Sequence, residues 1–165
     1  MFSSKERVQL SLEHQEPEQI PFDLGSTSAT GICAEVYRNL LEFLNIQGDI
    51  VITDMMQQLA KVDEPILEFF KVDTRGLSPN LPGASDQGLD TDERFSFFYD
   101  RWGIKYAMPK SGGHYYDMVD HPLKGPITRS EIDKFHFPDP QRIQGSLRQQ
   151  VQKWTGDTNP KAVIL

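Results

Sequence analysis

The chain has 165 residues, 38% of them hydrophobic, and 17 Lys and Arg stand against 24 Asp and Glu for a formal net charge of −7. That length supports one domain with a real core, and an acidic balance without a basic stripe excludes non-specific binding to nucleic acid or anionic membrane. A single cysteine, Cys33, excludes an internal disulfide and any multi-cysteine metal site made by this chain, and fits a reducing cytoplasm.

The opening SSKERVQLSLEHQ carries a capping box, Ser3 to Glu6, in which each side chain satisfies the other residue's free backbone N–H. Val8 and Leu12, flanked by Leu10, predict a short helix with a narrow apolar face, closed by Pro17 and Pro21. Glu6 and Glu13 are incompatible with a signal peptide here, and no run in the chain reaches transmembrane length. IPFDL reads as a short buried strand with Asp23 near its C-terminal end. Seven residues of Gly, Ser, Thr and Ala follow, Gly25 to Gly31. A structural turn needs two to five residues and rarely so many hydroxyls, whereas a loop that approaches a ligand closely suits this composition.

Ile32, Val36, Leu40 and Phe43 recur at helical spacing, with Gly48 just beyond the stop. VITDMMQQLAKV is ambiguous between strand and helix. In DEPILEFFKVD, Asp63 is placed to cap, Pro65 sits in the first turn, and Ile66, Leu67 and Phe70 form the face of a helix. Thr74 to Gly88 has loop composition. Two aromatic-rich runs flanking DRWG then predict an antiparallel hairpin, with HYYDMV as a third strand after Gly112-Gly113. TRSE, Thr128 to Glu131, is a second capping box, opening a short helix that stops before Pro138. Ile143, Leu147, Val151 and Trp154 form the best amphipathic spacing in the chain, Gly156 ends that helix, and NPKAVIL begins an apolar strand.

IPFDL and AVIL read as two parallel strands of an α/β sheet, separated by helices and an antiparallel flap. Two such strands bury too little to be stable by themselves, so the expectation is the N-terminal piece of a larger protein. The alternative is a complete small α+β domain whose last strand pairs into the flap.

The ordered series SKERVQLSLEHQEPEQIPFDLG, TGI, QQLAKVDEPILEFFKVDTRGL, DRWGIKY, HYYDMVDHPL and FPDP resembles the uroporphyrinogen decarboxylase-like superfamily over nearly the whole chain, Ser4 to Leu165. That superfamily includes uroporphyrinogen decarboxylase and corrinoid- and coenzyme M-linked methyltransferases. The resemblance implies a cytoplasmic α/β protein, the N-terminal part of one (β/α)8 TIM barrel left incomplete in this chain. An antiparallel hairpin insertion at about residues 94–123 would separate IPFDL, as first strand, from KAVIL, as the next. Barrel sites lie at the C-terminal ends of strands, which would put the Gly25–Gly31 loop at the rim of the pocket.

Authentic decarboxylases of the family carry an R-Q-A-G-R-Y block whose arginines grip carboxylates. The corresponding DLGSTSATGICAEVY has none between Arg7 and Arg38, although a porphyrinogen bearing many carboxylates needs fixed cationic forks. The DLG opening and DRWG hairpin are similar to the methyltransferase-like branch. The resemblance therefore implies methyl transfer between a corrinoid carrier and a thiol or other acceptor, with zinc in the intact protein. Its ligands, of the form H-x-C and a distant Cys, are not in this chain, so no cofactor is expected to be bound by this chain alone. The alternatives are uroporphyrinogen decarboxylase itself, which needs no cofactor, and a non-catalytic binding module. Expected partners are a small-molecule or corrinoid-carrier substrate, with self-association through exposed strand edges.

Candidate substrate-binding residues are Asp23, Ser26, Thr27, Thr30, Asp73, Arg75, His114, Tyr115 and Tyr116. Asp23 closes a predicted strand and can bind substrate or cap the loop after it. Ser26, Thr27, Ser28 and Thr30 can donate to a carboxylate or serve as turn residues. Asp73 and Arg75 can pair with each other or reach the pocket mouth. His114, Tyr115 and Tyr116 suit a mobile lid or an edge strand. Asp54, Gln57 and Gln58 become candidates if their segment turns inward. Cys33 reads as a packed thiol, and His121 and His136 as satisfied loop or core histidines. The histidines share no metal-ligand spacing, and the small-residue loop lacks the lysine of a phosphate loop.

Overall fold

The structure, a computed structural model, describes residues 1–77, 89–137, 144–155 and 160–164. Over the described residues it is a mixed α/β protein with three small, mostly antiparallel sheets, and these close no barrel. In chain order the helices are α1 (Ser4–Leu12), α2 (Ala34–Phe43), α3 (Glu64–Phe69), α4 (Arg129–Lys134) and α5 (Gln144–Thr155). The strands are β1 (Ile32–Cys33), β2 (Ile52–Asp54), β3 (Leu59–Ala60), β4 (Thr74–Gly76), β5 (Asp90–Thr91), β6 (Phe95–Tyr99), β7 (Lys105–Pro109), β8 (Asp117–Asp120) and β9 (Ala162–Ile164). Two units divide the chain: residues 1–80 with 144–165, and residues 81–143. No helix among the described residues is long and apolar enough to cross a membrane.

In the first unit, β1, β3 and β2 form one antiparallel sheet, while β4 and β9 pair in parallel with Thr74 opposite Ala162 and Gly76 opposite Ile164. The core gathers Tyr37, Leu41, Ala60, Val62, Ile66, Leu67 and Val72. The Ser3–Glu6 box forms as read, but the buried contact of α1 is Ser4, and Leu12 is 77% exposed. Helix α1 ends before the prolines, at His14, whose φ is 59°. The Gln15 N–H reaches the Leu10 carbonyl and the His14 N–H reaches Ser11, the paired bonds of a Schellman ending. The same ending closes α2 at Asn45, with Gly48 just beyond it, and α3 at Lys71.

Helix α2 turns Tyr37 and Leu41 inward, one position from the expected stripe, and leaves Val36 and Phe43 exposed. The Tyr37 hydroxyl decides this rotation, donating to Asp63 Oδ2 at 3.2 Å and accepting the Asp63 N–H at 3.0 Å. Asp63 therefore precedes α3 without a side-chain cap bond, and Phe70 stays partly exposed while Ile66 and Leu67 are buried. VITDMMQQLAKV resolves as the β2–β3 hairpin, with Asp54 accepting the Gln57 N–H and Gln58 at a φ of 54° in its turn.

Two strand assignments are corrected. IPFDL is not a strand: Pro21 brings no N–H, Ile20 is 86% exposed, and the segment meets β4 through Phe22, whose carbonyl accepts the Asp73 N–H. Its expected place beside AVIL is taken by β4, inside what reads as a loop, because Asp73, Thr74 and Arg75 are each matched to a polar partner and bury as a strand without apolar residues. The remainder of that loop from residue 78, and Pro138, Ile143 and Gly156, lie outside the described residues. Leu147, Val151 and Trp154 share the half-buried side of α5.

The second unit is the antiparallel sheet β5-β6-β7-β8 followed by α4. The DRWG hairpin forms between β6 and β7: Asp100 Oδ1 accepts the N–H groups of Trp102 and Ile104, and Gly103 takes a φ of 72°. The third strand begins at Asp117, later than HYYDMV implies: the turn ends at Gly112 and residues 113–116, with a bend at Tyr115, pair with no strand. Tyr116 turns inward onto Phe98, their rings 5.1 Å apart. Thr128 and Glu131 form the second capping box.

Candidate functional site

The polar centre of the first unit is built on the two sides of β4. On one side the Thr74 hydroxyl donates to Asp23 Oδ1 at 2.5 Å, while Ser26 donates through its hydroxyl to Oδ2 at 2.6 Å and through its N–H to Oδ1 at 3.3 Å. Gly25, with a φ of 74°, turns the chain so that its N–H meets the Thr30 carbonyl at 2.8 Å. Thr27 and Thr30 lie hydroxyl to hydroxyl at 3.4 Å. Gly76 must be glycine, since a Cβ there would collide with the Ser26 carbonyl; the loop thus packs against the last residue of β4.

Burial pushes the Asp23 carboxyl up, but the bonds from Ser26, Thr74 and Thr30 outweigh it and hold the group below its ordinary range. Asp23 is therefore an ionised acceptor at neutral pH, suited to bind a hydrogen-bond donor or a cation rather than to give up a proton.

On the other side, Asp73 and Arg75 do not pair with each other. Asp73, fully buried, accepts Nε and Nη2 of Arg7 on Oδ1 at 3.2 and 2.5 Å and the Phe22 N–H on Oδ2 at 2.9 Å. Burial raises its carboxyl, and the bonds from Arg7, Phe22 and Ser4 with the Arg7 charge reverse that shift downward. Arg75, 3% exposed, donates to Glu64 at 2.5 and 3.0 Å, to Glu68 at 2.8 Å and to the carbonyls of Val72 and Thr74. Its Cζ also lies 5.4 Å from the ring of Trp154. All five Arg75 N–H groups are thus used inside the fold.

The structure therefore joins Asp23, Ser26, Thr27 and Thr30 in one loop network, and splits Asp73 and Arg75 between two ion pairs. His114 and Tyr115, both exposed, and buried Tyr116 belong to the second unit. Asp54, Gln57 and Gln58 are spent in their own turn. Cys33 is half-buried, and His136 is exposed rather than in a core. Among the described residues no three His, Cys, Asp or Glu side chains gather to hold a metal ion.

Thr74, Arg7, Glu64 and Glu68 are not among the candidate residues named from the sequence. Alternation along V-D-T-R-G was the available signal for Thr74, since it places Thr74 and Gly76 on one face and Asp73 and Arg75 on the other. No local signal couples Arg7 to a residue 66 positions later. Compared with known proteins, the chain matches no family model, no curated protein and no solved structure.

Proposed function

We propose that the chain supplies the opening part of a uroporphyrinogen decarboxylase-like barrel of the methyltransferase-like branch, with the Asp23 loop at the mouth of the substrate pocket. The observation that supports this most is the order β4, α5, β9: two parallel strands joined through a helix whose Trp154 lies over Arg75 of the first strand. A strand–helix–strand step of this kind is the repeating element of (β/α) barrels. Residues 81–143, a unit of their own, enter the sequence between β4 and α5, in keeping with an insertion. Ser26 against Gly76 sets the hydroxyl-bearing loop at the C-terminal end of β4, the end that carries barrel sites.

The arginines favour methyl transfer over decarboxylation. Arg7 and Arg75 are both committed to carboxylates of the fold, which leaves neither as a fork for a polycarboxylate substrate. The described residues bring together no set of ligands that fits the zinc the branch implies. What this chain contributes is a fixed, ionised acceptor at Asp23 and the hydroxyl groups around it.

The test is the visible spectrum of hydroxocobalamin, and separately of uroporphyrin, titrated with the 165-residue chain. The reading expects a saturable shift with the corrinoid, weakened in Asp23→Ala, and none with the porphyrin. It also expects neither methyl transfer nor carbon dioxide release from this chain by itself. A porphyrin shift without a corrinoid shift would favour the decarboxylase, and no shift with either would overturn both readings.

A further inference from the structure

The apolar spacing that marks α2 in the sequence, Val36, Leu40 and Phe43, is not the face that the helix buries. Tyr37 and Leu41 take that place in the core. Around the helix, Val36, Leu40 and Phe43 form a second row beside the buried one. Leu40 packs at the edge of the core and is half-buried, whereas Val36 is 52% and Phe43 86% exposed. Single exposed apolar residues are ordinary, but a row of them one helical turn apart, continuous with the buried face, marks an interaction surface.

Charge selects the partner. Glu35, Asn39 and Glu42, each one position before a residue of the row, run along its open border. All three are exposed, and neither carboxylate is in an ion pair with a described residue. Arg38, two positions after Val36, lies on the far side of the helix. A second copy fits this face badly. Two α2 helices packed antiparallel would set Glu35 of one beside Glu42 of the other, twice, and each chain carries a net charge of −7. A helix with Lys or Arg along one edge of its apolar stripe would instead cover the row and meet both carboxylates, the complementarity that sets partner choice between helices. We infer that the outer face of α2 docks a basic amphipathic helix of a partner protein, its apolar stripe on Val36, Leu40 and Phe43 and its cations on Glu35 and Glu42. No residue of the Asp23 network takes part, so docking does not depend on the proposed corrinoid chemistry.

The experiment is a fluorescence-anisotropy titration of the full 165-residue chain into a dye-labelled amphipathic helical peptide of leucine and lysine, beside a matched peptide of leucine and glutamate. Physiological ionic strength screens attraction that arises only from the overall charge. The lysine peptide is expected to bind saturably and the glutamate peptide not at all. Phe43→Ser, which removes an exposed side chain and leaves the core intact, is expected to weaken binding about tenfold or more. Glu35→Gln combined with Glu42→Gln should weaken it about fivefold. Leu12→Ser and Glu16→Gln, exposed outside α2, should leave it unchanged. No saturable binding, equal binding of the two peptides, an unchanged Phe43→Ser or Glu35→Gln/Glu42→Gln variant, or an equal loss in Leu12→Ser or Glu16→Gln would each overturn the inference. Sedimentation showing a dimer that Phe43→Ser dissolves would also overturn it, by making a second copy the occupant.

Discussion

Arg7 and Asp73 meet at 2.5 Å across 66 positions of sequence, with the carboxylate fully buried and the guanidinium side chain 12% exposed. This pair attaches α1 to the start of β4. Removing one member leaves the other buried and unpaired, so Arg7→Ala is expected to destabilise the protein by about 3–5 kcal/mol, measured by urea unfolding. Lys124→Ala, which breaks a solvent-exposed pair with Asp120, should leave the unfolding midpoint unchanged.

Asp73 and Asp23 both titrate below their ordinary values in the folded state. The unfolded chain therefore binds more protons than the folded one as pH falls past the ordinary carboxylate range. The stabilisation from these groups is fully present above that range and is lost as pH drops through the depressed folded values. Urea midpoints measured from about pH 6 down to about pH 2 should decline accordingly. Asp23→Asn, less stable at neutral pH, should show a shallower decline than the wild type.

The Schellman endings offer a gain. Lys71 and His14 hold φ values of 54° and 59°, where a Cβ crowds the following carbonyl and glycine does not. Lys71→Gly and His14→Gly are each expected to stabilise by about 0.5–1 kcal/mol, seen as a rise in Tm of about 2 °C. Asn45→Gly should gain less, since asparagine tolerates this conformation.

Gly76→Ala tests the seating of the Asp23 loop. The added Cβ meets the backbone of Ser26 rather than a side chain that can turn away, so the loop must move. An overpacking cost of about 1–3 kcal/mol is expected in denaturant unfolding. If the proposed corrinoid site is correct, the hydroxocobalamin shift should weaken in parallel.

Features confined to a few neighbouring residues were legible in the sequence. The Ser3–Glu6 and Thr128–Glu131 boxes needed only four residues each, and D-R-W-G carried both the acceptor and the glycine of its turn. The composition of the small-residue loop is unusual at a glance, but that its hydroxyls engage Asp23 and one another is decided by the fold. The stack of Trp102 on Phe135 is not legible locally, because the two rings come from separate elements.

By itself the sequence determined the capping boxes, the DRWG turn, the acidic balance and the apolar periodicity of α5, because caps, turn and periodicity each depend on residues within one or two helical turns. Tertiary structure alone decided which face of α2 is buried, that IPFDL forms no strand, and that the polar V-D-T-R-G does. A strand exists only where a partner supplies its hydrogen bonds, and buried charge is tolerated only where an opposite charge arrives to meet it. Here those partners are β9, Arg7, Glu64 and Glu68, and no local pattern in the chain announces them.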